Sequence, residues 1–180
     1  MFPNYVGTDE AGLYRFQRVT EFLEPSDQLY RSSAPFYDGE DASHQAKDIT
    51  REALKQRNIK TVISLNSDAA NPKFRYVFGP DIAYKAVPVQ DYTAPTPKEL
   101  QRITEIFMDN RRRGGVLVWC GYGHGRTGTA ISAIQIRVQV DVPAFNRVKL
   151  SWLDFEANHV ETDKQIQALE QYQREISLLC

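Results

Sequence analysis

The chain has 180 residues, 42% of them hydrophobic, so it can bury a sizeable core and is most simply one domain. Its 22 Lys and Arg and 23 Asp and Glu give a formal net charge of −1, which argues against nucleic acid or an acidic membrane surface as the main partner. The two cysteines, Cys120 and Cys180, do not make a disulfide framework, and this favours a reducing compartment such as the cytoplasm.

From the sequence we expect neither a membrane span nor a signal peptide. No apolar run reaches membrane-spanning length, and residues 1–5 lack the basic and apolar layout of a signal peptide. Export as an effector, by a route that needs no such signal, is compatible with this pattern. The sequence gives no indication of oligomeric state.

Residues 1–27 are irregular in pattern, and we expect them to pack as an N-terminal segment on a single domain formed by residues 28–180. Apolar runs predict strands at 60–65, 82–89 and 115–119. Helical spacing and capping residues predict helices over 46–57, from Thr96 to the basic run 111–113, after residue 126, from Pro143 to about Glu156, and from Thr162 onward. Strands alternating with helices indicate an α/β fold with a central, mostly parallel sheet flanked by helices.

The segment Val116–Gly128 reads as a buried strand, a cysteine, a glycine-rich loop, an arginine and a helix. We call Gly121–Gly125 the glycine loop. Successive backbone N–H groups that end at a helix N-terminus form an anion site, and its glycines allow the turns that such a loop needs. Arg126 can donate hydrogen bonds to two phosphate oxygens through its planar guanidinium. The helix end and Arg126 favour Cys120 as a thiolate, so the sequence predicts a nucleophile that faces a bound phosphate. The alternative is a structural cysteine in a turn.

This segment resembles the cysteine-dependent protein phosphatases, whose signature is Cys-x5-Arg followed by Ser or Thr. Cys120, Arg126 and Thr127 fit that signature. Strand-like segments at 29–35 and 59–66 are similar to strands of small atypical dual-specificity phosphatases. The resemblance covers about residues 28–175 and implies a dual-specificity-phosphatase-like fold and a phosphocysteine intermediate.

Covalent phosphoryl transfer also needs an acid to protonate the leaving oxygen. Within the stretch 86–97, Asp91 follows the end of an apolar strand and lies in a proline-stiffened loop, which we call the Asp91 loop. Spacing alone leaves open whether Asp91 is this acid or a turn former. The atypical phosphatases carry a similar Pro-x-x-Asp-aromatic-x-x-Pro segment, and this resemblance implies that Asp91 is the general acid and then the general base.

The resemblance implies two assisting residues. Thr127 would hydrogen-bond the cysteine sulfur and ease its departure, or it would satisfy a backbone group in the first helical turn. Gln165 lies in a Glu-Thr-x-x-Gln element similar to one that follows the signature in these enzymes. Gln165 would then help to place the hydrolytic water, or it is an exposed helix residue behind the capping Thr162.

The loop side chains Tyr122 and His124, together with Tyr92 beside the acid, are candidates for the rim of the pocket. They would contact an aromatic or peptide substrate, or else remain exposed. The phosphate itself would be bound by residues of the loop: Gly121, Tyr122, Gly123, His124, Gly125 and Arg126.

Metal and cofactor chemistry is not expected. His44 and His159 have no partners at metal-ligand spacing, so we predict no metal and no cofactor. Cys180 could serve as a resolving thiol for oxidised Cys120, although a terminal cysteine is usually not functional. The run 111–113 is expected to complement the negative end of its helix in solvent.

Trp119 departs from the family pattern, in which a His normally precedes the cysteine and supports the loop. Trp offers one N–H donor and no acceptor, so we expect the loop to be supported differently.

The sequence therefore predicts a metal-independent hydrolase of phosphotyrosine, with phosphoserine and phosphothreonine as further protein substrates. Two alternatives remain: an inositol phosphate or phosphoinositide phosphatase, and a phosphate-recognition module with little or no turnover. The glycine loop has no Lys or additional Arg, which disfavours highly charged substrates.

Overall fold

The computed structural model of the protein describes residues 5–41, 45–142 and 148–178. Its strands are β1 (Gln17–Val19), β2 (Leu29–Ser33), β3 (Ile59–Ser64), β4 (Ala83–Ala86) and β5 (Gly115–Cys120). Its α-helices are α1 (Asp48–Gln56), α2 (Pro97–Asn110), α3 (Gly125–Asp141), α4 (Trp152–Ala157) and α5 (Asp163–Ser177). Two single-turn 3-10 helices, Pro72–Phe74 and Tyr76–Phe78, lie between β3 and β4.

The five strands form one sheet in the order β1-β2-β5-β3-β4. Strands β2, β5, β3 and β4 are parallel, and only the edge strand β1 is antiparallel to its neighbour. The prediction of a mostly parallel sheet flanked by helices is confirmed. In such sheets ligands bind at the carboxyl ends of the strands, and β5 ends at Cys120.

All six residues of β5 are buried, as expected for the central strand of a sheet that is covered on both faces. Alternate side chains enter different cores, because strand side chains point to opposite faces. Cys120 and Val118 belong to the core that α2 and α3 cover, whereas Trp119 and Leu117 belong to the core that contains α1. Cys120 and Trp119 therefore lie on opposite faces of the sheet.

Helices α2 and α5 begin at their predicted caps. Thr96 accepts a hydrogen bond from the backbone N–H of Glu99, and Glu99 reaches back to the N–H of Thr96 at 2.6 Å. Thr162 and Gln165 form the same reciprocal arrangement at the start of α5. Each box satisfies backbone donors that a helix N-terminus would otherwise leave unpaired.

The predicted helix from Pro143 to Glu156 is confirmed over residues 152–156 and wrong over residues 148–151. Residues 143–147 lie outside the described residues, and residues 148–151 are not helical. Helix α4 begins only at Trp152. The Asp154 carboxylate accepts hydrogen bonds from the Ser151 backbone N–H at 2.6 Å and the Ser151 hydroxyl at 2.7 Å, so Ser151 is the N-cap that starts the helix.

Arg111 also departs from expectation. It is buried instead of solvated, and its guanidinium contacts Asp27 at 2.6 and 2.7 Å and also pairs with Glu24. Arg112 is exposed and reaches the same Glu24 at 2.6 Å. This part of the basic run therefore ties α2 to the segment before β2.

Residues before β2 are not wholly irregular, because β1 pairs with β2 in an antiparallel register. Ala11 and Leu13 are fully buried in the α1 core. The division into a segment of residues 1–27 and a domain of residues 28–180 stays a prediction.

Candidate active site

A cavity of about 240 Å³ opens at the carboxyl ends of the parallel strands. The predicted site residues that line it are Asp91, Tyr92, Cys120, Gly121, Tyr122, His124, Gly125, Arg126 and Gln165. Tyr37 and Glu161 line it as well, and sequence analysis did not single them out. A larger apolar cavity of about 370 Å³ between the ends of α3 and α5 contains none of the predicted residues.

Cys120 lies at the end of β5 and is almost fully buried. The backbone N–H of Gly123 points toward its sulfur, with an N–Sγ distance of 3.3 Å. Gly123 has φ +97°, and a Cβ there would lie 2.5 Å from the carbonyl oxygen of Ser32. The loop therefore needs glycine at this position, both for its backbone conformation and for its close approach to β2.

Arg126 is in the first turn of α3, with its side chain 3% exposed. Its Nη1 donates to the carbonyl oxygens of Val89 at 2.9 Å and Leu65 at 3.3 Å, which fixes the plane of the guanidinium. Burial alone would lower the pKa of Arg126, but the hydrogen bond with Asp41 and the charge of Cys120 hold it above its ordinary value. Arg126 is therefore a permanent cation.

Asp91 lies in the loop after β4, and its side chain is 43% exposed. Its Oδ1 accepts a hydrogen bond from the backbone N–H of Tyr92 at 3.0 Å and lies 2.8 Å from Nη2 of Arg126. The structure thus brings Asp91, Cys120 and Arg126 to one cavity.

Asp41 is a site residue that sequence analysis missed. Its Oδ1 contacts Nη2 of Arg126 at 2.5 Å, and Ser67 donates its backbone N–H to Oδ2 at 3.0 Å. Burial would raise the pKa of Asp41, but the hydrogen bonds from Arg126 and Ser67 outweigh it and hold the pKa below its usual range. No motif marks Asp41, because its partners are distant in sequence.

The two residues that are predicted to assist have different surroundings. Thr127 is fully buried, and its Oγ1 has no hydrogen-bond partner in the part of the chain that the structure describes. Gln165 is also buried instead of exposed. Its Oε1 accepts from the backbone N–H of Glu161 at 3.0 Å, and its Nε2 donates to the carbonyl of Thr93 at 3.2 Å. Gln165 thus links the Asp91 loop to the start of α5.

The rim of the cavity is aromatic. Tyr122 is 47% exposed and packs edge-on against Tyr37, with ring centroids 5.9 Å apart. The guanidinium carbon of Arg15 lies 3.8 Å from the centroid of the Tyr122 ring. Nε of Arg15 donates a hydrogen bond to the backbone carbonyl oxygen of Tyr122 at 2.7 Å. Tyr92 is 81% exposed and has a positive φ of 58°.

His124 stacks on His159, with ring centroids 4.1 Å apart and an interplanar angle of 7°. Desolvation, aided by the neighbouring charges of His159, Arg31 and Arg15, lowers the pKa of His124 to about 4. His124 is therefore neutral near pH 7. His44 lies outside the described residues, as does Cys180.

Trp119 does not support the glycine loop. Its indole N–H donates to the hydroxyl of Ser64 at 2.9 Å on the opposite face of the sheet. Instead, Arg31 of β2 reaches the loop and donates to the carbonyl oxygen of Gly123 at 2.8 Å. Arg31 was also missed, although a charged residue within a buried strand is a visible signal.

Comparisons with solved structures identify the class of fold. A mouse putative dual specificity phosphatase, complexed with zinc tungstate, is similar with a TM-score of 0.65 and 20% identity, over 97% of this chain and 96% of that one. Tk-PTP in its active form is similar with a TM-score of 0.60 and 20% identity, over 84% of this chain and 99% of that one. PTPMT1 in complex with PI(5)P is similar with a TM-score of 0.63 and 15% identity, over 91% of this chain and 97% of that one. The fold is that of the dual-specificity phosphatases.

The family model described as "Tc-R-P: Polymorphic toxin system, DSP-PTPase phosphatase" matches residues 39–140, which is more than half of the chain. The chain belongs to this family, and the predicted resemblance to cysteine-dependent phosphatases is confirmed. A comparison with curated proteins found no match. None of the helices in the described ranges is long and apolar enough to cross a membrane.

Proposed function

We propose that this chain hydrolyses phosphate monoesters in proteins, phosphotyrosine above all, through a phosphocysteine intermediate. Cys120 attacks phosphorus while the loop amides and Arg126 stabilise charge on the phosphoryl oxygens. Asp91 protonates the leaving oxygen and then takes a proton from the attacking water. The observation that carries this proposal is the convergence of Cys120, Arg126 and Asp91 on one cavity.

Thr127 has a role in the second step of this proposal. Its buried hydroxyl has no partner among the described residues, so it is free to donate to the sulfur as the phosphoryl group leaves. Gln165 has a more limited role. Its carbonyl oxygen and one amide hydrogen already bond to backbone, so it holds the Asp91 loop and offers the remaining amide hydrogen to the hydrolytic water.

The rim favours an aromatic phosphoester. Tyr37, Tyr92 and Tyr122 surround the opening, and tyrosine rings offer apolar faces to a phosphotyrosine ring. The glycine loop supplies no extra cation, because His124 is neutral. Arg15 lies beside the loop, but its guanidinium is engaged with the ring and the carbonyl oxygen of Tyr122. Three carboxylates, Asp41, Asp91 and Glu161, lie at or beside the cavity. This arrangement suits one phosphate group better than several.

A phosphoinositide or inositol phosphate phosphatase is the second candidate. The fold neighbour PTPMT1 was solved in complex with PI(5)P, and this observation supports the alternative. The carboxylates around the cavity and the neutral His124 count against it, because a polyphosphorylated headgroup needs additional cations.

The family description names polymorphic toxin systems, which supports a role as an effector. We propose that the enzyme acts on phosphoproteins in a reducing cytoplasm, where Cys120 stays a free thiol. An effector that reaches the cytoplasm of a target cell would meet both phosphoprotein substrates and a reducing environment there.

The test is hydrolysis of an aryl phosphate, a phosphotyrosine peptide, a phosphoserine peptide and an inositol phosphate, all in chelator and reductant. The proposal predicts that phosphotyrosine peptide has the highest kcat/KM and that Cys120→Ser abolishes turnover of every substrate. Preference for the inositol phosphate would establish the second candidate. Phosphopeptide binding without turnover would identify a recognition module and contradict the enzymatic proposal.

A further inference from the structure

Arg31 is a buried arginine in an inner strand of the sheet. It lies in β2, opposite Val118 of β5, and is 4% exposed. A strand position this deep is normally apolar, and a charged side chain there is usually paired with an opposite charge.

The contacts of Arg31 are unusual for a buried cation. Its Nη2 donates to the carbonyl oxygen of Gly123 and its Nη1 to that of Asn158, both at 2.8 Å. Within the described ranges, its hydrogen bonds go only to these backbone carbonyls and no carboxylate pairs with it. Two other described arginines are as strongly buried and differ from it, because Arg111 pairs with Asp27 and Arg126 pairs with Asp41.

The missing negative charge can come from Cys120, which interacts electrostatically with Arg31. Strand β5 runs beside β2, with Cys120 paired to Ser33, two residues beyond Arg31. Gly123, whose carbonyl Arg31 holds, also directs its N–H at the Cys120 sulfur at 3.3 Å. Burial lowers the pKa of Arg31, and a negative charge on Cys120 opposes that change.

We propose that Arg31 is a positioning residue, which fixes Gly123 in the glycine loop and favours the anionic form of Cys120. The proposal rests on the proposed function, because that function requires a thiolate at Cys120. The indole of Trp119 is hydrogen-bonded to Ser64 and gives the glycine loop no support, so in this proposal Arg31 supports the loop instead.

Other charged groups act on Cys120 as well. Arg126 and Tyr37 interact with it electrostatically, and Asp91, Glu161 and His124 line the same cavity. The positive charge of Arg126 is offset by Asp41 and Asp91. Among the described residues no carboxylate pairs with Arg31, so its positive charge is not neutralised in this way.

The test is the pH dependence of Cys120 alkylation by iodoacetamide, in a Cys180→Ser background that leaves one thiol. This measurement needs no turnover, so it remains informative even if the proposed function fails. Arg31→Gln is expected to move the midpoint of the alkylation profile up by about one pH unit, with about tenfold slower alkylation below the midpoint. Arg31→Lys keeps the charge but cannot make both carbonyl hydrogen bonds, so its midpoint is expected to lie between those of wild type and Arg31→Gln.

Arg111→Gln is the matched control, because Arg111 is also buried but pairs with carboxylates near the start of β2, away from the cavity. It should lower the melting temperature without moving the profile. If Arg31→Gln is unstable, all variants are measured in an osmolyte that favours the folded state. An unchanged midpoint in Arg31→Gln would overturn the proposal. So would a shift of equal size in Arg31→Lys or in Arg111→Gln.

Discussion

Nη2 of Arg126 lies 2.8 Å from Oδ1 of Asp91, so the predicted phosphate-binding cation and the predicted acid contact one another directly. A bound phosphate would need the same Nη2, because a guanidinium binds two phosphate oxygens through its paired N–H groups. Substrate binding is therefore expected to release Asp91 from Arg126. The freed carboxyl group, which is already 43% exposed, can then turn to the leaving oxygen.

Asp91→Asn is expected to reduce kcat/KM for a phosphotyrosine peptide by about 10²–10⁴-fold, because it removes the proton donor. The loss should be smaller for aryl phosphates whose leaving groups are more acidic, since these need less protonation. Steady-state kinetics over a series of aryl phosphates measures this. Asp81→Asn is the control, because Asp81 is exposed and pairs with Lys55 outside the cavity. Equal losses for all leaving groups would contradict the role of Asp91.

Asp41 should stabilise the fold only where it is ionised. Its pKa lies below the ordinary value of about 3.9, so its contribution is full above that pH and is lost as the pH falls through the lower, folded-state value. Asp41→Asn lacks this contribution. Urea unfolding should therefore show a free-energy difference between wild type and Asp41→Asn that shrinks below about pH 4. A difference that stays constant down to pH 2 would contradict the assignment.

His124 should affect the stability of the fold at higher pH than Asp41 does. Its folded-state pKa is about 4, below the ordinary value of about 6.5, so between these values the unfolded chain binds more protons. Stability should therefore fall as the pH drops from about 6.5 to about 4, and His124→Gln should reduce this slope. Urea unfolding at several pH values measures the effect. An NMR titration of the His124 ring with a midpoint near 6.5 would contradict the prediction.

Arg111→Gln should lower the free energy of unfolding by about 3–5 kcal/mol, because it leaves the buried carboxylate of Asp27 without its partner. Arg113→Gln is the control from the same basic run, and Arg113 is exposed. Its effect should stay within about 0.5 kcal/mol. Denaturant unfolding of wild type, Arg111→Gln and Arg113→Gln measures these differences. Similar free energies of unfolding for the two variants would show that the buried ion pair does not stabilise the fold.

The features that sequence analysis predicted correctly depend on local chemistry. The caps at Thr96 and Thr162 need only residues three positions apart, and the strand at 115–120 is recognisable from its apolar run. The mostly parallel arrangement of the sheet is predictable from strands that alternate with helices. These local rules also place Cys120 at the carboxyl end of a central strand.

The features that it missed depend on contacts between distant residues. Asp41 reaches Arg126 across 85 positions, Arg31 reaches Gly123 across 92, and Arg111 reaches Asp27 across 84. Nothing in the local sequence distinguishes Asp41 from a surface loop residue. Arg111 looked like a solvated helix end, because its two carboxylate partners come from the segment before β2.

The most direct test of a phosphocysteine mechanism is to identify the residue that carries the phosphoryl group. Enzyme is mixed with a phosphotyrosine peptide, quenched within one turnover, digested and examined by mass spectrometry. The mechanism predicts one phosphoryl group on the peptide that contains Cys120, and none on the same peptide from Cys120→Ser. Turnover with the phosphoryl group on another residue, or undiminished turnover by Cys120→Ser, would contradict it.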